Sequence, residues 1–187
     1  MTVTTQHDPP AATAEPPDPA DLGAMFDAYA RDLLRYATRR VGAQLAEDVV
    51  AQTFLVAYER RHRFDAARGA MLPWLYGICS NLLRREHRAE VRALRATAAA
   101  ALAGTTDEDA PDARSAERVD AQRTVARVAA ALARLPRRQR EVLLLYAVAE
   151  LEYAEIADAL GIPLGSVQSA LHRARTKIRS ALSGGSR

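Results

Sequence analysis

Between Leu151 and Arg179 the chain reads LEYAEIADALGIPLGSVQSALHRARTKIR. Ile156, Ala157 and Leu160 mark the buried face of one short helix, and Val167, Leu171, Ala174 and Ile178 that of a second, with Gly161 at the turn between them. This is helix-turn-helix spacing, and a small residue at Ala157 lets the two helices cross closely. The second helix turns Ser166, Gln168, Ser169, His172 and Arg173 outward, followed by Arg175, Thr176, Lys177 and Arg179. These donor types suit base edges and phosphates in a major groove entered N-terminus first. The plainer alternative is a helical hairpin with a solvated basic face.

A second candidate lies in PWLYGICSNLLRREHRAEVRALR, which opens at Pro73. Phe64, Trp74 and Tyr76 lie near Arg84, Arg88, Arg92 and Arg95, which recur at steps of four, four and three residues. Aromatic rings beside an arginine stripe can stack unpaired bases while following a backbone. Trp74 and Tyr76 as core residues, and the stripe as a solvated face, are the competing reading.

The elements that position these residues are helical throughout. Phe26, Tyr29, Leu33, Tyr36, Ala37, Arg40 and Val41 recur at helical spacing up to Gly42, and a second helix follows from about Leu45 to Arg61. A third starts at Pro73 and runs on to about Arg95. Residues 1–21 are rich in proline and read as a disordered tail; residues 96–121, small and then acidic, read as a linker. Residues 122–183 begin with a stripe of Val125, Val128, Ala129, Leu132 and Leu135, and carry a strongly apolar helix from Glu141 to Val148 before the two shorter ones. No alternating segment occurs, so the fold class is all-α: two small helical domains, 22–95 and 122–183, joined by a flexible linker.

Charge follows the same blocks. The 187 residues carry 26 basic and 23 acidic side chains. Residues 25–95 hold 13 basic against 8 acidic residues and residues 121–187 hold 11 against 5, while residues 1–24 have four acids and no base. Two basic blocks separated by acidic ones point to two modules facing polyanions. No apolar run is long enough to cross a bilayer, and the N-terminus lacks a signal-peptide pattern, so no membrane insertion and a cytoplasmic location are expected. The single cysteine, Cys79, and four dispersed histidines offer no metal-ligand spacing, and no metal or cofactor is expected. The acidic pairs and triplets, Glu47-Asp48 and Asp107-Glu108-Asp109, do not form a preorganised nuclease site, so the chain is not expected to be an enzyme.

AEDVVAQTFLVAYERR followed by PWLYGICSNLLRREHR resembles the second conserved region of bacterial sigma factors. LARLPRRQREVLLLYAVAELEYAEIADALGIPLGSVQSALHRARTKIR resembles their fourth. With no third region between them, the chain resembles the extracytoplasmic-function (ECF) group, over residues 22–95 and about 122–182. The resemblance implies a subunit that binds core RNA polymerase, directs it to promoter DNA, and is held in check by an anti-sigma factor. It places Asp48, Gln52 and Phe54 on the core-polymerase-binding helix, with Phe54 as a core residue the competing reading. Where the family often has Gln-Glu, this chain has Ala51-Gln52.

By the same resemblance, the Pro-Trp helix and the loop from Phe64 to Leu72 open and read the minus-ten element as single strand. Phe64, Trp74, Asn81, Arg84, Arg85 and Arg88 are the candidates there, Asn81 and Arg85 matching positions that face unpaired bases. Flipping a base costs a few kcal/mol, least in weakly stacked sequence. Ser166, Gln168, Ser169, His172, Arg173, Arg175 and Lys177 are the minus-thirty-five candidates. Arg173 matches the position best suited to a bidentate guanine contact, worth about 1–3 kcal/mol. Gln168 and Ala170 stand where relatives are commonly basic, so up to about two phosphate contacts are absent. Arg137, Arg138 and Arg140 are further phosphate candidates, with solvated charge the equal alternative. A stand-alone helix-turn-helix regulator would account for the second module and leave the first unexplained. An acidic linker folding back on a basic face, through Asp107, Glu108, Asp109 and Asp112, is a further expectation drawn from the charge blocks.

Overall fold

The computed structural model describes residues 17–67, 69–103 and 113–183. Among them are eight α-helices and no strand. The first module contains α1 (Leu22–Val41), α2 (Ala43–Glu59), one 3₁₀ turn (Arg61–Arg63), α3 (Met71–Leu83) and α4 (His87–Ala103). The second contains α5 (Ala113–Arg134), α6 (Arg137–Ala147), α7 (Tyr153–Leu160) and α8 (Leu164–Ser183).

Local chemistry fixes several of the ends. Asp21 caps α1, its Oδ1 accepting from the Ala24 amide at 2.9 Å. Gly42 separates α1 from α2 at φ 88°, ψ 164°, a conformation essentially restricted to glycine. The Glu152 amide at the start of α7 donates to Glu155 Oε2 at 2.8 Å, and α7 closes on Gly161 in the left-handed region (φ 61°, ψ 44°). There the Ile162 amide donates to the Ala157 carbonyl at 2.9 Å, which sets the angle at which α8 leaves.

The expected helix over 73–95 is two helices. Residues 84–86 form a turn in which the amides of Arg85 and Glu86 donate three residues back, to Leu82 and Leu83. The re-aimed α4 brings Glu90 against α1. The segment expected as a linker is narrower than 96–121 as well, since α4 continues to Ala103 and α5 begins at Ala113. The acidic positions 107–109 and 112, and tail positions 1–16, lie outside the described residues.

Met25, Leu33, Tyr36, Phe54, Leu75 and Leu83 in the first module and Val142, Leu145, Ile156, Val167 and Leu171 in the second belong to one continuous apolar cluster. The modules therefore share a core, where two separate ones were expected. The buried side chains of α5 include Ala126, Ala129 and Ala131, Leu135 is buried just past its end, and Val125 is half exposed. The alanine-rich face lets α5 pack closely on α4.

A polar chain crosses this core. Tyr36 Oη sits 3.1 Å from Ser80 Oγ and accepts from an Arg40 guanidinium nitrogen at 2.8 Å. Arg40 Nε donates to Glu90 Oε1 at 2.7 Å, and the other carboxylate oxygen accepts from Arg140 at 2.9 Å. Arg140 also donates to the Leu132 and Leu135 carbonyls, tying off the end of α5, and to Nδ1 of His87. Burial alone would raise the Glu90 carboxyl, but the two guanidinium groups outweigh it and hold it below its ordinary value. Burial pushes the Tyr36 hydroxyl up to about 12, so it stays protonated at physiological pH.

Candidate nucleic-acid interface

Ile156 on α7 is fully buried, as is Val167 on α8, and together they fix the crossing of the helix-turn-helix. Gln168, His172, Arg173 and Lys177 stand in solvent on α8, with Ser166 and Ser169 partly covered. Ser169 and Arg173 are adjacent on one face, the guanidinium donating to Ser169 Oγ at 3.2 Å. That bond pre-orients the fork of Arg173 without burying it, which suits a bidentate acceptor such as a guanine edge.

Two positions on α8 depart from expectation. Ala170 faces inward, buried beside Leu171, and not outward with the basic face. Arg175 is exposed but lies over the Tyr146 ring at 4.6 Å, and hydrogen bonding to Tyr146 is the main cause that raises its already high pKa. It is turned away from the Ser169–Arg173 face. Tyr153, His172, Arg175 and Arg179 border a shallow polar depression beside it.

The minus-ten candidates are divided by the turn at 84–86. Phe64 and Trp74 are half-buried with ring centroids 5.3 Å apart, while Asn81, Arg85 and Arg88 are exposed. Arg84 is tied by its Nε to Glu141 Oε1 of the second module at 3.1 Å. Tyr76 is fully buried, its ring edge-on to Tyr36, and is a core residue. Phe64, Trp74 and Asn81 line a cleft of about 790 Å³ whose opposite wall is α7. Arg60 and Arg63 on one side and Glu155 and Asp158 on the other, none of them singled out from sequence, complete it. Their acid–base contrast across the cleft arises only once the modules are packed.

On α2 the exposed stripe is Glu47, Asp48, Ala51, Gln52, Leu55 and Tyr58. Asp48 and Gln52 are available there. Phe54 is not: it is 2% exposed and packs on the Phe26 ring at 5.1 Å, so the core reading of this residue holds. Leu55, half exposed, and Tyr58 are the large apolar side chains that α2 presents in the same stripe. Arg137 and Arg138 are exposed, whereas Arg140 is fully buried in the polar chain and cannot reach a phosphate in this arrangement. Among the described residues, no group of three or more histidine, cysteine or acidic side chains is placed to hold a metal ion, and no helix is long and apolar enough to cross a membrane.

Two helical modules in one chain, one carrying a helix-turn-helix and the other an aromatic and arginine cleft, form two surfaces whose residue types suit nucleic acid. The Sigma-70 region 2 family model matches residues 25–93, and the Sigma-70, region 4 model matches residues 126–178. ECF RNA polymerase sigma factor SigL of Mycobacterium tuberculosis is 34% identical over 174 residues, covering 92% of this chain and 93% of the relative. ECF RNA polymerase sigma factor SigM of Bacillus subtilis is 27% identical, covering 85% of this chain and 93% of the relative. The structure of CnrH in complex with the cytosolic domain of CnrY superposes with a TM-score of 0.60 at 25% identity, covering 88% of this chain and 89% of that one. The chain belongs to the sigma-70 family, in its ECF group.

Proposed function

We propose that this protein binds core RNA polymerase in the cytoplasm, directs it to promoters with paired upstream and downstream elements, and helps open the downstream one. The observation that carries this reading is the solvent-facing Ser169–Arg173 surface of α8, in a chain that also has the first module's exposed Asn81 and Arg85. The geometry supports a division of labour. Ser169, His172 and Arg173 read the upstream duplex, with Arg137 and Arg138 placed for phosphates. Phe64 and Trp74 supply a stacking wall for unpaired bases with Asn81 as a donor in the same cleft, and the exposed Arg85 and Arg88, at and beyond the turn, are left for the strand's backbone. Asp48, Gln52 and Leu55 form the polymerase-facing stripe of α2. Bond-making belongs to the polymerase, and this subunit contributes selection and strand opening. A proteinaceous anti-sigma factor is a further expected partner.

The test is transcription in vitro by purified core polymerase on a genomic fragment library, with and without the protein, sequencing the transcript starts. New starts sharing two spaced motifs are expected. Duplex binding by the free protein with no polymerase binding and no redirected start would overturn the reading in favour of a stand-alone regulator.

A further inference from the structure

The cleft between α3 and α7 has the size and the chemistry of a small-ligand site. Its volume of about 790 Å³ falls within the range of about 300–1,000 Å³ that such sites occupy, and junctions between modules are where they commonly form. Its walls are fixed. A Cβ on Gly77 would meet the Ala159 carbonyl oxygen at 2.5 Å, so the two helix backbones touch at the floor, and the apolar core shared by the modules holds them there.

On α3 the lining residues are Trp74, Gly77, Ile78 and Asn81, which fall on one face of the helix. The α7 wall is smooth where Ala157, Ala159 and Gly161 line it, because these residues carry little or no side chain. A slot with the Phe64–Trp74 pair on one side and a smooth wall on the other suits a planar ring. Charge is divided across it. Arg60 and Arg63 are exposed, and neither makes a salt bridge among the described residues. Three carboxylates line the cleft, and two are already engaged: Asp65 Oδ1 accepts from the Ala67 amide at 3.0 Å, and Glu155 Oε2 from the Glu152 amide at 2.8 Å. The third, Asp158, is exposed on α7 and its carboxylate has no partner of either kind among the described residues. A free carboxylate takes a proton donor such as an amine, and a pair of guanidinium groups takes a phosphate.

We propose that this cleft binds a free nucleotide whose base carries an exocyclic amine. The base lies in the slot between Trp74 and α7, its amine donates to Asp158, and its phosphate meets Arg60 and Arg63. Asn81, at the end of the same face of α3, supplies a donor and an acceptor for the ring edge. The site is assembled from both modules in their packed arrangement, so it belongs to the free protein and does not depend on strand reading by α3.

Trp74 is the chain's one tryptophan, so its indole N–H gives a single resonance in a nitrogen–proton correlation spectrum and reports on the cleft directly. The full chain is titrated with adenosine monophosphate, with inosine monophosphate, which has oxygen in place of the amine, with adenosine, and with inorganic phosphate; calorimetry supplies the dissociation constants. Adenosine monophosphate is expected to move the indole resonance saturably. Inosine monophosphate and adenosine, each lacking one charge-assisted hydrogen bond, are expected to bind about ten-fold more weakly, and phosphate alone to leave the resonance in place. Asp158→Asn is expected to bind both monophosphates equally, since an amide turns to suit either base. Arg63→Gln is expected to weaken adenosine monophosphate and leave adenosine unchanged. Both substitutions are at exposed positions, and the comparison of ligands on the wild type decides the proposal without any variant. No saturable movement at millimolar adenosine monophosphate overturns it. Equal binding of the two monophosphates by the wild type overturns it too, as does phosphate alone producing the same movement.

Discussion

Glu90→Gln is the sharpest probe of how the modules are held. Glu90, Arg40 and Arg140 are each about 1% exposed, and the two carboxylate oxygens are divided between the two guanidinium groups at 2.7 and 2.9 Å. Glutamine keeps the shape but leaves two buried cations without the carboxylate they share, Glu141 being the remaining buried acid that acts on Arg40. Breaking such a pair by removing one partner typically costs about 3–5 kcal/mol. In a chain of this size that is a large share of the roughly 5–15 kcal/mol available. It corresponds to a melting temperature lower by roughly 10 °C. Urea unfolding followed by far-ultraviolet circular dichroism measures the difference directly. A loss below about 1 kcal/mol would refute the reasoning, because the carboxylate would then not be holding charge in the core. The pH dependence has a defined sign. Glu90 titrates below its ordinary value of 4.5 in the folded state, so its contribution is present above that value and is lost as the pH falls through the lower, folded one. The wild type is therefore expected to show an acid-side loss that Glu90→Gln lacks.

Three further outcomes are expected. Arg173→Ala relaxes base preference at one position of the upstream element by about 1–3 kcal/mol, read as a flattened motif in the sequenced transcript starts. Gly42→Ala costs about 1–3 kcal/mol in urea unfolding, because φ 88° and ψ 164° are closed to alanine although nothing lies within 4 Å of the added methyl. Cys79 is fully buried and its thiol is pushed up to about 11 by burial, so Ellman's reagent at pH 8 reacts only as the protein unfolds. Reaction of the native protein within seconds would contradict that.

The helix-turn-helix was legible from sequence because Ile156, Gly161, Val167 and Leu171 each have one dominant physical role at their spacing. Gly42 was legible for the same reason. Ala170 was read as a surface position from the family resemblance alone, and its burial adds it to the inward stripe of Val167, Leu171 and Ala174 that the spacing already marks. The break at 84–86 has no proline or glycine to announce it; RREHR continues a helical pattern, and the turn is imposed by α4 packing back on α1. Phe54 and Leu55 are neighbours, and choosing which one faces outward needs the position of Phe26. Arg140 reads as one more basic residue after Pro136 until Glu90, fifty positions earlier, is brought against it. The features that sequence could not supply are those defined by pairing across the two modules.

If α8 reads duplex DNA as proposed, parking Arg175 on the Tyr146 ring limits how much of it the helix can interrogate. The base-contact candidates that remain, from Ser166 to Arg173, span about 10 Å at about 1.5 Å per residue, with Lys177 exposed one turn further along the same face. That matches about three steps of B-form duplex at about 3.4 Å each. A word so short recurs by chance about every 64 positions, far too often against the roughly 10⁶ or more competing sites of a genome. The helix alone therefore cannot carry an address. On the proposed function, the rest of the information comes from a second word read by the first module and from the spacing between the two words.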